Sequence, residues 1–332
     1  MSKGSVLVAG FIRFAQKELT DLSNRYEVHH VPAITRSEFF ELCKTQYQGV
    51  KTVVRESTSA ANIGHFDEEL INALPESVKF ICSNAAGYDK VDVEAAAKRG
   101  IYISNTPGAV DSATADIAII LMLNALRNIT QSEKSLREGN WKNGIEMGTN
   151  PDGKKLGILG MGGIGKAIAK RARAFDMEIQ YHNRSRLPTE VEEQYNATYV
   201  DFETLLKTSD IISVSVPLSK ETTHLLGKRE FSICRHGMIV VNTSRGKVID
   251  EAALVNALES GRVAAVGLDV YEEEPKVHPG LLQHPRATLL PHIGTNTFET
   301  ELMMEQLTLK NVETAMESNT LLTPIPEHKQ YF

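Results

Sequence analysis

Glycines at positions 160, 162 and 165 fall in the run Leu156-Gly157-Ile158-Leu159-Gly160-Met161-Gly162-Gly163-Ile164-Gly165, between an apolar strand and a helical stretch over 166–175. This G-x-G-x-x-G spacing constrains the fold more than composition does, because each glycine has its own steric task. Gly160 permits a tight turn, Gly162 lets the backbone approach a pyrophosphate, and Gly165 lets helix and strand pack closely. N–H groups at the start of the helix, including those of Gly163 and Ile164, then face the phosphates. The spacing predicts a dinucleotide site in a parallel α/β domain.

The rest of the chain repeats that alternation of strand and helix. Before it come strand-like runs at Val6-Leu7-Val8, Thr52-Val53-Val54, Phe80-Ile81-Cys82 and Ile101-Tyr102-Ile103, with helices expected over 36–47, 67–74 and 91–99. After it, strands are expected over 155–159, 178–182, 210–216, 238–242, 263–269 and 287–290. Strands alternating with helices imply parallel sheets. The stretch 111–137 has neither Pro nor Gly and reads as one long helix linking two domains, and 299–318 reads as a closing helix. The expected fold is α/β: two Rossmann-like domains with parallel sheets and an interdomain cleft. A flavodoxin-like substrate domain takes residues 1–104 and 299–332, and a dinucleotide-binding domain takes 105–298.

A formal charge of -6 and a pI near 6.0 give no global basic field, so neither nucleic acid nor an anionic membrane is an expected partner. Cys43, Cys82 and Cys234 are odd in number and widely spaced, which suggests reduced, buried thiols rather than disulfides or a zinc site; no metal is expected. Met1-Ser2-Lys3-Gly4 leads straight into strand-like sequence and Gln330-Tyr331-Phe332 does not match a peroxisomal tripeptide, so a cytoplasmic protein is expected.

About twenty residues beyond the glycines, the next strand ends Tyr181-His182-Asn183-Arg184-Ser185-Arg186. NAD-selective sites place a carboxylate there for the ribose hydroxyls. Asn183, Arg184, Ser185 and Arg186 suit a 2′-phosphate instead, Arg184 ahead of Arg186, which precedes Leu187-Pro188, so NADP(H) is the expected cofactor, with NAD(H) possible.

Three more segments begin at expected strand ends: Val241-Asn242-Thr243-Ser244-Arg245-Gly246, Gly267-Leu268-Asp269-Val270-Tyr271-Glu272-Glu273-Glu274-Pro275, and Pro291-His292-Ile293-Gly294. In this order, behind the glycine motif, they make the chain resemble the D-isomer-specific 2-hydroxyacid dehydrogenases over nearly its whole length. Features such as Val214-Ser215-Val216-Pro217 also resemble the fungal mandelate-type members. The resemblance implies that Arg245 holds the substrate carboxylate, that His292 is the general acid in reduction, and that Glu274 orients the imidazole and stabilises its charged form. Glu272 and Glu273 compete with Glu274 by composition. Cofactor contacts are implied at Val216, Pro217, Thr243, Ser244, Arg245, Asp269, His292 and Gly294, although Asp269 also suits the capping of a local turn.

The resemblance further assigns Asn84-Ala85-Ala86-Gly87-Tyr88-Asp89 as the substrate loop. Ala85, Ala86 and Gly87 would offer backbone N–H groups, and Arg55 stands as either a second positive charge or a surface salt bridge. Gly139-Asn140-Trp141 resembles the family's dimerisation arm, which makes a homodimer the expected assembly, with core packing as the other role for Trp141. The expected reaction is NAD(P)H-dependent reduction of a small 2-oxo acid (glyoxylate, hydroxypyruvate, or a larger or aromatic one) to a D-2-hydroxy acid. The alternative is a dinucleotide-sensing protein, like the corepressors that share the fold.

Overall fold

The computed structural model describes residues 4–56 and 62–331 and divides into two compact units, Met1–Val110 with Asn296–Phe332, and Asp111–Thr295. Met1, Ser2, Lys3 and Phe332, part of the expectations about the two ends, lie outside the described residues.

The first unit runs β1 (Ser5–Ala9), α1 (Gln16–Arg25), β2 (Glu27–His30), α2 (Arg36–Lys44), β3 (Val50–Arg55), α3 (Glu68–Ala73), β4 (Phe80–Ser83), α4 (Val93–Lys98) and β5 (Tyr102–Ser104). The second opens with α5 (Asp111–Arg127), α6 (Ile129–Arg137), β6 (Lys155–Leu159), α7 (Gly163–Ala172), β7 (Glu178–His182), α8 (Thr189–Tyr195) and β8 (Ala197–Tyr199). It continues through α9 (Phe202–Thr208), β9 (Ile211–Val214), α10 (Lys228–Ile233), β10 (Met238–Asn242), α11 (Glu251–Glu259), β11 (Val263–Leu268), α12 (Pro279–Gln283) and β12 (Ala287–Leu289). Helix α13 (Phe298–Ser318) belongs to the first unit.

Each unit is built on a wholly parallel sheet, ordered β2-β1-β3-β4-β5 in the first and β12-β11-β10-β9-β6-β7-β8 in the second. Side chains alternate across a strand, so apolar runs supply both faces. In the first unit Val6, Val8, Val54, Phe80 and Cys82 pack with Leu19 and Leu22 of α1 and with Leu309 and Val312 of α13. Leu7, Val53 and Ile81 face the opposite way, against Phe39, Leu70 and Ala96. In the second, Ile239 and Val241 pack with Leu121, Met122 and Ile168, while Met238 and Val240 meet Leu254 and Leu258. Burying one such side chain stabilises by about 1.5–3 kcal/mol.

The expected single helix over 111–137 is two. The chain breaks at Asn128, whose φ is +53°, and α5 and α6 diverge by 68°. Asparagine tolerates this left-handed conformation better than most residues. Its side chain donates to Glu146 O at 3.0 Å, which anchors the break, while Asn124 Oδ1 accepts from Thr130 N at 3.0 Å and satisfies a donor that the break exposes. Helix α7 starts at Gly163, earlier than expected, and 173–175 tighten into a 3₁₀ turn. The units also divide a few residues away from 104/105 and 298/299. Asn105 and Thr106 bond back to Thr323 O and Ala85 O, and Thr297 caps α13, which ties these residues to the first unit. Among the described residues no single helix is long and apolar enough to cross a membrane.

Candidate active site

Parallel registers put Leu159, His182, Val214, Asn242, Leu268 and Leu289 on one line across the second sheet. The residues that follow them, Gly160, Asn183, Ser215, Thr243, Asp269 and Leu290, therefore emerge together at its C-terminal edge. Chain order reverses at β6, between β7 and β9. A parallel sheet opens a ligand crevice at such a point.

Gly160 adopts φ +99°, and a Cβ there would lie 2.8 Å from Ser215 C and Val216 N. At Gly165 a Cβ would come within 2.4 Å of Gly160 O, so the helix could not sit this close to the strand. Gly163 has a packing task as well, since a Cβ would fall 2.0 Å from Asp111 Oδ2. Around Gly162 the space is open: a Cβ meets nothing within 4 Å, and no side chain caps the start of α7. An anion fits there, against N–H groups at the positive end of the helix dipole. Along the same edge Ser215 Oγ and Thr243 Oγ1 are buried with no hydrogen-bond partner, which suits a polar ligand. Val216 is half-buried and Pro217 exposed. These features fit a dinucleotide.

Asn183 Oδ1 accepts from Met161 N at 2.6 Å, which fixes the glycine loop to the end of β7. Arg184 and Ser185 are exposed. Across from them Glu221 is held below the usual carboxylate range, mainly by the Ser219 hydroxyl, with the Arg184 charge contributing.

At the other end of the row, His292 Nδ1 lies 2.8 Å from Glu274 Oε2. Glu274 Oε1 accepts from Tyr271 N at 3.1 Å, so its own turn aims the carboxylate. Glu272 pairs with His224 and accepts from Glu251 N at 3.3 Å, which leaves Glu274, of the three acids, beside the imidazole. His292 takes φ +55°, unusual for a residue with a Cβ. Asp269 holds that loop, its two carboxylate oxygens accepting from Ile293 N and Gly294 N at 2.8 Å each. Burial raises the Asp269 pKa, against the pull of the Ile293 N–H and the His292 charge. Turn-capping is thus a role the geometry shows for Asp269.

Arg245 follows a turn fixed by buried Asn242, whose Oδ1 accepts from Ser244 N at 3.0 Å and whose Nδ2 donates to Arg245 O at 2.9 Å. A Cβ at Gly246 would lie 1.8 Å from Tyr271 C, so this glycine allows the Arg245 segment to run against the one carrying Glu274. Asn242 and Ser215 belong to no motif of their own. Their one sequence signal is a polar residue at the end of an apolar strand, Asn242 closing β10 and Ser215 following β9.

In the first unit Ala9, Arg55 and Ser83 align at the strand ends. Arg55 is 2% exposed and donates to Ser83 Oγ at 3.2 Å, which corrects the expected surface salt bridge. In the loop after β4, Ala85 O accepts from Thr106 N at 3.0 Å and Ala86 O from Asn105 Nδ2 at 2.7 Å. Among the described residues no hydrogen bond uses the N–H of Ala85, Ala86 or Gly87. Trp141, with φ +57°, is 69% exposed, which rules out the core role.

An acid-paired imidazole on the sheet edge that carries a dinucleotide-type glycine loop marks an NAD(P)-dependent oxidoreductase. The sequence pattern of the D-isomer specific 2-hydroxyacid dehydrogenase, NAD binding domain, matches residues 119–294. The 4-methyl-2-oxopentanoate reductase A of Aspergillus oryzae is 48% identical, over 99% of both chains. A glyoxylate reductase structure from Paecilomyes thermophila is 51% identical with a TM-score of 0.96, over 99% of this chain and 100% of that one. The holo D-mandelate dehydrogenase of Rhodotorula graminis is 32% identical with a TM-score of 0.94, over 98% of each. The chain belongs to the D-isomer specific 2-hydroxyacid dehydrogenase family.

Proposed function

We propose that this enzyme reduces 2-oxo acids to D-2-hydroxy acids and prefers NADPH to NADH. The observation that carries the proposal is the 2.8 Å bond between His292 Nδ1 and Glu274 Oε2. A carboxylate can only accept, so Nδ1 keeps its proton and Nε2 is the nitrogen that exchanges one with the substrate. A reduced nicotinamide held along this sheet edge would supply the hydride that the carbonyl carbon takes. His292 Nε2 gives a proton to the carbonyl oxygen, which becomes the hydroxyl, and Glu274 steadies the imidazolium until then. Arg245 holds the carboxylate with its guanidinium fork. The N–H groups of Ala85, Ala86 and Gly87 and the charge of Arg55 complete the proposed substrate set.

Glycines 160, 162, 163 and 165 with Ile164 hold the pyrophosphate, and Thr243, Ser244, Val216, Pro217, Asp269 and Gly294 line the rest of the cofactor site. NADPH is favoured because the turn at Asn183, Arg184 and Ser185 has a cation and no carboxylate. The substrate class runs from glyoxylate and hydroxypyruvate to branched and aromatic 2-oxo acids, a range supported by the names of the relatives. A homodimer is proposed through the arm at 139–141, supported by the exposure of Trp141 and of Ile129 and Leu136 on α6. A cytoplasmic location suits three free, buried cysteines.

The test is kcat/KM with glyoxylate, 4-methyl-2-oxopentanoate and phenylglyoxylate, each with both cofactors. Turnover is expected; tight cofactor binding with no turnover on any 2-oxo acid would favour a sensor. In Arg245→Ala, acids should lose far more rate than the matching uncharged carbonyl compounds. An unchanged ratio would take the carboxylate contact away from Arg245.

A further inference from the structure

Helix α13 carries three buried polar side chains on one stripe, Glu305, Thr308 and Asn311, none more than 2% exposed. Positions three apart share a helix face, and buried polar groups persist where they are partnered. Each of the three reaches a different segment of the first unit. Glu305 accepts from the backbone N–H of Arg13, Phe14 and Ala15 at 2.8, 2.7 and 2.7 Å, in the loop after β1. Thr308 Oγ1 has one proton for two acceptors, Asn84 Oδ1 at 3.1 Å, at the first residue after β4, and Met304 O of its own helix at 2.9 Å. Asn311 Oδ1 accepts from Leu322 N and Thr323 N, both at 3.0 Å, and its Nδ2 donates to Thr323 Oγ1 at 2.9 Å. Thr323 Oγ1 in turn donates to Asn105 O at 2.6 Å, and Asn105 Nδ2 to Ala86 O at 2.7 Å.

One helix therefore holds the loop after β4 at two points, the Asn84 side chain and the Ala86 carbonyl. Neither contact uses the N–H groups of Ala85, Ala86 and Gly87, so the loop is fixed with its donors left for an anion. We infer that Thr308 is a positioning residue for substrate binding: through Asn84 it sets the loop whose N–H groups take the substrate carboxylate. This rests on the proposed role of that loop, and the test separates the two.

Thr308→Val keeps the shape and removes the hydroxyl, while Thr308→Ser keeps the hydroxyl. Thr308→Val should raise KM for glyoxylate about threefold to tenfold, the effect of one ordinary hydrogen bond. It should leave kcat and the NADPH dissociation constant within about twofold, and Thr308→Ser should restore the parent KM. Ala86→Leu reports on the loop itself and should raise KM for phenylglyoxylate more than for glyoxylate. If Ala86→Leu shifts KM and Thr308→Val does not, the positioning role is overturned and the loop stands. If Ala86→Leu changes no KM, the loop reading fails and the inference falls with it. If both Thr308 variants lose kcat and cofactor affinity alike, Thr308 is general core packing and the inference is wrong. Should Thr308→Val not fold, Asn84→Ala removes the same bond from the loop side; the same rise in KM is expected, and an unchanged KM contradicts the inference.

Discussion

Arg186 is held at two nitrogens by Glu192, Nε and Nη2 donating to its two carboxylate oxygens at 2.9 and 2.7 Å. Arg186, and after it the Tyr181 hydroxyl, keeps Glu192 below the usual carboxylate range. Leu187 N donates to that hydroxyl at 2.8 Å, so the pair fixes the turn after β7. On the proposed NADPH preference, Arg184, exposed in the same turn, is the cation that would meet the 2′-phosphate. One charge-assisted hydrogen bond contributes about 1.5–3 kcal/mol, so Arg184→Ala should cut the NADPH-to-NADH ratio of kcat/KM about ten- to hundredfold. Adding Asn183→Asp should reverse the preference, whereas Arg186→Ala should weaken both cofactors alike. Specificity constants at one ionic strength decide it, and a parent enzyme that favours NADH would show that Arg184 does not serve the cofactor.

The thiols should be inert in the folded protein. Burial pushes Cys43 and Cys82 up to about 12 and raises Cys234 as well. The thiolate is the reactive form, and with a pKa of about 12 roughly one thiol in ten thousand is ionised at pH 8. A chromogenic disulfide reagent at pH 8 should label no cysteine in the native protein and all three in denaturant. Rapid stoichiometric labelling of the native protein would contradict this.

Much of the fold was legible because its signals are local. The apolar runs at Val6-Leu7-Val8 and from Leu156 and Met238 each state a strand buried on both faces. β2 carries no such signal: Glu27-Val28-His29-His30 is an edge strand with one aliphatic residue, and pairing with β1 is what makes it a strand. The break at Asn128 was hidden for a similar reason. Nothing in its neighbours forbids a helix, and the left-handed turn depends on a bond to Glu146, eighteen positions away. Within the candidate site, Glu274 could be named ahead of Glu272 only by resemblance, since the bond that distinguishes them joins residues far apart in sequence. Glu305, Thr308 and Asn311 lay in plain view at a helical spacing. The meaning of Glu305 and Thr308 depends on loops 292 and 224 positions away, and that of Asn311 on Leu322 and Thr323, past the end of the helix.

The proposed assembly has a built-in reporter, because Trp141 is the single tryptophan. If the arm packs on a partner, iodide should quench its fluorescence weakly at micromolar protein and strongly on dilution. Trp141→Ala should shift sedimentation from dimer toward monomer. Quenching independent of protein concentration, together with an unchanged dimer in the variant, would place the dimer contact elsewhere.

The most direct test of the whole account is His292→Ala, measured for turnover of glyoxylate and 4-methyl-2-oxopentanoate across pH and for NADPH binding. Removing a general acid typically costs two to four orders of magnitude in rate, and that loss is expected here with the cofactor dissociation constant within about twofold of the parent. Near-parental turnover across the pH range, with cofactor binding intact, would contradict the account by showing that His292 does not donate the proton.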